Sequence, residues 1–143
     1  MIQENRSPKL FERVTQHRFD IWLGLSFERF CVKHAAHLAS IMGFQEEMLL
    51  AAPYFERNDK RFQIDLLYQR ADKVITLCEI KYHHATINTK IIPAVERKRA
   101  LLPLPRGYSC EKALISLRGP DSALRDSGYF DHYVGLEDIL DQL

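Results

Sequence analysis

The chain has little that would mark a secreted, membrane-spanning or metal-stapled protein. Cysteine is scarce: the three present, Cys31, Cys78 and Cys110, lie far apart and form no Cys-x-x-Cys pair. That fits reduced, mostly buried thiols in a reducing cytosol, and neither a disulfide framework nor a zinc ribbon. Long apolar runs are also missing, since no stretch approaches the roughly 18 residues of a membrane span. The N-terminal segment interleaves Glu4, Arg6, Lys9, Glu12, Arg13, Arg18 and Asp20, without the apolar core of a signal peptide. A soluble, cytoplasmic protein is therefore expected. Excess charge of one sign is lacking too, with 20 Lys plus Arg against 19 Asp plus Glu for a net charge of +1. This excludes a polycation held to nucleic acid by charge alone, and leaves room for a local basic surface. No repeat, low-complexity tract or Pro/Gly/Ser linker divides the 143 residues, so they read as one domain able to bury a core unaided. Residues 1–19 are expected as a polar arm and residues 20–143 as the folded domain.

What is present is patterned. Over residues 20–43, Leu23, Phe27, Phe30, Cys31, His34, Leu38 and Ile41 recur at spacings of three and four, one face of a helix. Ser26 is a candidate cap, and Gly43 suits the left-handed position that ends a helix. After an expected loop over residues 53–60 the period changes. Phe62, Ile64, Leu66 and Tyr68 alternate with Gln63, Asp65, Leu67 and Gln69, and a second run, residues 74–82, follows the polar turn Arg70-Ala71-Asp72-Lys73. Together these predict a β-hairpin with apolar residues on both faces, as in a sheet covered by helices on both sides. Residues 94–102 predict a basic amphipathic helix between Pro93 and Pro103. Residues 112–117 predict a strand, 132–134 a weaker one, and 136–143 a terminal helix. The expected class is α/β: a mixed β-sheet flanked by helices on both faces, with core order α-β-β-α-β.

The chemistry concentrates in the hairpin. Glu79 and Lys81 are two residues apart, so on a strand both side chains share a face. With the turn centred on Asp72, Asp65 falls opposite Glu79, where β-carbons sit about 5 Å apart. Two carboxylates and an ammonium among Ile64, Leu66, Leu77 and Ile80 are costly unless compensated, and a divalent cation would compensate them. Mg²⁺ or Mn²⁺ takes oxygen ligands, commonly one or two carboxylates with water and phosphate. Held there, it polarises a phosphodiester and activates a water that Lys81 positions, and the Ile80 carbonyl is a candidate further ligand. The competing reading is a structural ion pair between Glu79 and Lys81 or a neighbour.

These residues carry a resemblance. Gln63-Ile64-Asp65 followed by Cys78-Glu79-Ile80-Lys81 resembles the PD-(D/E)xK signature of the restriction-endonuclease-like nuclease superfamily, which includes the Holliday junction resolvases, with Ile64 where many members have proline. The resemblance implies a restriction-endonuclease-like core, Mg²⁺- or Mn²⁺-dependent hydrolysis of DNA, and a metal shell that Glu28 of the first helix joins. Trp22-Leu23-Gly24, Phe27-Glu28, Cys31 and His34, taken with both hairpin segments, look closest to the nuclease-like C-terminal domain of a bacterial and archaeal family of AAA-type ATPases. The phosphate loop Gly-x-x-x-x-Gly-Lys-Ser/Thr of such an ATPase is not in this sequence. An ATPase partner, homodimerisation and a non-catalytic interaction or regulatory role are further implications.

Other candidates have two readings each. Glu28 reads either as a metal-shell residue or as a solvated helix charge, and Gln63 as a phosphate or metal-water contact or a polar strand-end residue. His34 and His37 lack a third ligand at zinc spacing, which favours helix packing. His83 or His84, just beyond Lys81, reads as a contact to the scissile phosphate or as a loop residue. Lys90, Arg97, Lys98, Arg99 and Arg106 form the densest basic stretch, either a solvated face or contacts to the DNA backbone. No base-reading motif is evident, so backbone- or structure-dependent DNA binding is expected.

Overall fold

In a computed structural model, residues 8–57 and 61–141 are described. The hairpin forms as expected: β2 (Phe62–Arg70) and β3 (Val74–Lys81) pair antiparallel, with Leu66 opposite Cys78 and Tyr68 opposite Thr76. The turn is closed by the Lys73 N–H donating to the Arg70 carbonyl at 3.2 Å, with Lys73 in the left-handed region at φ 63°. On one side of the hairpin lies β1 (Met48–Glu56), antiparallel to β2. On the other lie β4 (Ser109–Ser116) and β5 (His132–Gly135), parallel to β3 and to each other. The sheet order is β1-β2-β3-β4-β5. β3 is therefore central, and its residues from Ile75 to Ile80 are all buried.

Helices cover both faces, so the expected mixed α/β sandwich is what forms. On one face α1 (Pro8–Lys33), α2 (Ala35–Met42) and α5 (Leu136–Asp141) bring Phe27, Cys31, Leu38 and Ile139 onto Leu66, Tyr68, Cys78 and Ile80. Tyr68 is fully buried, and its hydroxyl donates to the Ala35 carbonyl at 2.6 Å, tying α2 to the sheet. On the opposite face α3 (Ile92–Leu101) and α4 (Ser122–Ser127) bring Val95 and Leu124 onto Ile64, Ile75, Leu77 and Leu114. The expected terminal helix forms as α5 over Leu136–Asp141, and residues 142–143 of that expectation lie outside the described residues. No described helix is long and apolar enough to cross a membrane.

Several boundaries differ from the sequence expectation. The polar arm is helical from Pro8: residues 12–19 of α1 are all exposed, so local propensity and not burial forms this part of the helix, with proline in its tolerated first turn. Ser26 accordingly lies inside α1 and caps nothing. The single helix over residues 20–43 is two, broken at His34 (φ −103°, ψ 30°), while Gly43 ends α2 at φ 92° as expected. The loop assigned to residues 53–60 begins later, because β1 runs through Pro53. A register shift between Ala52 and Tyr54 leaves Pro53 out of the pairing, on an edge strand, where a missing N–H costs no ladder bond. Residues 58–60 lie outside the described residues. α4 was not anticipated; its signal is a cap at each end, the Asp121 carboxylate accepting the Leu124 N–H at 2.8 Å and Gly128 at φ 67°.

Candidate metal and phosphate site

The sheet changes character at Asp65. Phe62 and Ile64 pack into the α3 core whereas Leu66 and Tyr68 pack into the α1 core, so the alternation of β2 is interrupted between them. This is the same place where pairing with β1 slips, Ala52 facing Leu67 but Tyr54 facing Ile64. An extra residue in one strand re-aims side chains in this way. The paired ladder between β2 and β3 ends at Leu66 and Cys78, one step short of the Asp65 and Glu79 position that the turn predicts. There the Asp65 carboxylate accepts the Ile80 N–H at 2.9 Å. Gln63 is exposed, and with the alternation broken its sharing a face with Asp65 no longer follows from spacing.

Glu79 is 3% exposed, a carboxylate in the most buried strand of the sheet. Its charge is answered from α3: the Lys98 ammonium lies 3.1 and 3.0 Å from its two oxygens. Lys81, on the same strand, comes within 3.6 Å of Oε1. Lys98, expected as a DNA contact, has its side chain turned to Glu79 and largely covered. Val95, Lys98 and Leu102 fall at i, i+3 and i+7, and Val95 and Leu102 are buried. That spacing was the signal in the sequence that Lys98 belongs to the inward face. Arg97 and Arg99 are exposed on the outside of α3, Arg97 donating to the Arg61 carbonyl at 3.4 Å. Lys90, His83, His84 and Arg106 are exposed as well, His84 lying 3.8 Å from Asp20.

Glu28, on α1, joins this group. Its carboxyl is raised above the usual carboxylate range, first by burial and then by the negative charges of Asp65 and Glu79, with Lys98 and Lys81 opposing. Three carboxylates from α1, β2 and β3 therefore share one field with two ammonium groups. The same field reaches the core thiols: burial, then Glu28 and Asp65, push Cys31 up to about 12, and burial raises Cys78. Both are inert as nucleophiles near neutrality. His34 packs on Phe30 with ring centroids 4.3 Å apart, and the His37 ring contacts the Ile139 carbonyl at 3.3 Å, in line with packing roles and not with zinc.

The donor types suit a hard divalent cation, being carboxylate oxygens. Among the described residues no three carboxylate, imidazole or thiolate groups are drawn together as a preformed metal cluster. Lys98 supplies to Glu79 the positive charge that a cation would supply. Comparison of the chain with protein-family models, curated proteins and solved structures finds no match.

Two predictions follow from this geometry. Lys98→Met removes one partner of a buried pair and is expected to destabilise the fold by about 3 kcal/mol, with Glu79→Gln in the same chain restoring much of it. Urea denaturation of the two single variants and the double variant checks this; a near-zero cost for Lys98→Met contradicts it. For Glu28 the folded-state carboxyl titrates above its unfolded value, so its contribution is fully favourable below the unfolded value and is lost as pH rises through the folded one. Glu28→Gln is therefore expected to raise the melting temperature at pH 7 and to leave it unchanged at pH 4, a difference that thermal scans at both pH values read directly.

Proposed function

We propose that the chain is a metal-dependent nuclease that hydrolyses DNA phosphodiester bonds at the Asp65, Glu79 and Lys81 site, as a member of the PD-(D/E)xK superfamily. The observation that carries this reading is geometric: the Asp65 carboxylate accepts the Ile80 N–H at 2.9 Å, and Lys81 lies 3.6 Å from its strand neighbour Glu79, at the point where β2 and β3 stop pairing. Asp65 and Glu79 would hold Mg²⁺ or Mn²⁺, with Glu28 directly or through water and the Ile80 carbonyl as a further oxygen. The bound cation supplies Lewis acidity toward the phosphodiester. Lys81, with its side chain 38% exposed and its ammonium 3.6 Å from Glu79, would orient the attacking water and stabilise charge developing on the phosphate. Glu79 fixes Lys81 in place through that contact. Lys98 neutralises Glu79, the charge a cation would neutralise if bound, and Glu28 accepts a proton more readily than an ordinary glutamate.

Exposed Arg97, Arg99 and Lys90 supply charges for a phosphate backbone, and contacts of that kind position a duplex without reading its sequence. The restriction-endonuclease-like assignment, the kinship with an AAA-type ATPase tail, an ATPase partner and homodimerisation belong to this proposal and rest on the motif resemblance. A second reading has its own observation. Lys98 on both oxygens of Glu79, and Ile80 N–H on Asp65, leave the carboxylates satisfied without a cation, as in a nuclease-fold interaction domain that cuts nothing.

The two readings separate on cleavage of duplex, branched and single-stranded DNA with Mg²⁺ or Mn²⁺. Metal-dependent cleavage is expected, reduced by about 10²-fold or more in Glu79→Ala and in Lys81→Ala. Activity that survives both substitutions contradicts the assignment, and absence of cleavage and of metal binding by calorimetry favours the interaction domain.

A further inference from the structure

A cleft of about 300 Å³ opens directly beside Lys81. Lys81, His83 and Lys90 line it together with the apolar Ile87, Ile91 and Ala94, and the uncharged Thr86 and Asn88 complete the lining. No carboxylate lines it, so its field selects an anion. A larger cavity of about 590 Å³, at the ends of β4 and β5, differs in this respect: Arg118 and Arg125 face Glu137 and Asp138 there, and no charge preference results.

The cleft is held open by backbone bonds. The Ile87 N–H donates to the Gly119 carbonyl at 3.0 Å and the Asp121 N–H to the Ile87 carbonyl at 2.8 Å, pinning the segment after β3 to the loop after β4. The Asn88 side chain accepts the Lys90 N–H at 2.9 Å, capping the short 3-10 turn Thr89–Ile91 that carries Lys90 and Ile91 into α3. Ligand and charge can thus meet without first ordering a loop.

We propose that this cleft receives one unpaired nucleotide of a single-stranded segment, its phosphate among Lys81, Lys90 and His83 and its base against Ile91 and Ala94. The volume lies at the small end of the range for ligand pockets, roughly 300 Å³ upward. It has room for one nucleotide and not for a base pair. Because Lys81 belongs to both cleft and carboxylate site, the nucleotide sits next to the phosphate that site would attack. In that respect the proposal rests on the nuclease reading and names its substrate class, DNA with a single-stranded end or branch in preference to continuous duplex.

The test is metal-free titration of the full chain with thymidine 5′-monophosphate, thymidine and inorganic phosphate, followed by amide NMR shifts. Shifts are expected at Ile87, Lys90, Ile91 and Ala94, with the nucleotide binding at least about tenfold more tightly than phosphate or thymidine. Ala94→Trp, at an exposed position that tolerates bulk, fills the cleft and is expected to weaken the nucleotide by about tenfold or more, as is Lys90→Glu. The two variants reach the cleft independently, so misfolding of one leaves the other to decide. Phosphate binding as tightly as the nucleotide, shifts elsewhere, or unchanged affinity in both variants overturns the proposal. No nucleotide binding with DNA cleavage intact overturns the cleft and spares the nuclease reading. Nucleotide binding without cleavage of any DNA supports the cleft and overturns the nuclease reading.

Discussion

The ion pair between Glu79 and Lys98 is the constraint on which the site depends. A glutamate on the central strand, 3% exposed, has been taken out of water, and desolvation of that kind costs several kcal/mol unless a counter-charge is close and well placed. Lys98 meets both oxygens at about hydrogen-bond distance and anchors α3 across β3. Apolar residues of similar volume would satisfy the sheet at least as well, so the pair has no evident value for stability alone. The carboxylate makes sense where it stands if its charge is used, and Asp65 and Glu28 beside it strengthen that case.

The other determinant is the interruption of β2. A strand that alternated without a break would place Asp65 wholly on one side of the sheet. The slip opposite Pro53 ends the ladder one step short of Asp65 and Glu79 and frees the Asp65 carboxylate to bond the Ile80 N–H. The neighbourhood of α1, β2 and β3 thus becomes common ground for Glu28, Asp65 and Glu79, and Lys81 carries it on toward the basic cleft. Strand irregularity, buried charge and cleft all occur at the same end of the hairpin.

Parts of this were legible in the sequence for clear reasons. The hairpin and its register as far as Leu66 and Cys78 followed from period-two alternation about a polar turn. β1 was not legible, because its residues do not alternate and Pro53 reads as a breaker until its unpaired edge position is known. The first half of α1 was hidden by its polarity, since a helix exposed on all sides leaves no stripe to read. Lys98 was placed on the DNA-facing surface because its neighbours Arg97 and Arg99 are there, whereas the buried Val95 and Leu102 on either side of it point the other way. The break at Asp65 coincides with a slip against a strand that was itself hidden, so it was beyond a local pattern.

Under the proposed function, the carboxylates at this interruption bind a divalent cation whose place beside Glu79 is taken here by Lys98. Anomalous diffraction from crystals of the chain soaked in Mn²⁺ tests it most directly. A manganese peak is expected between Asp65 and Glu79, with the Lys98 ammonium displaced from the glutamate oxygens. Saturating Mn²⁺ that gives no peak there, with Lys98 still on both oxygens of Glu79, contradicts it.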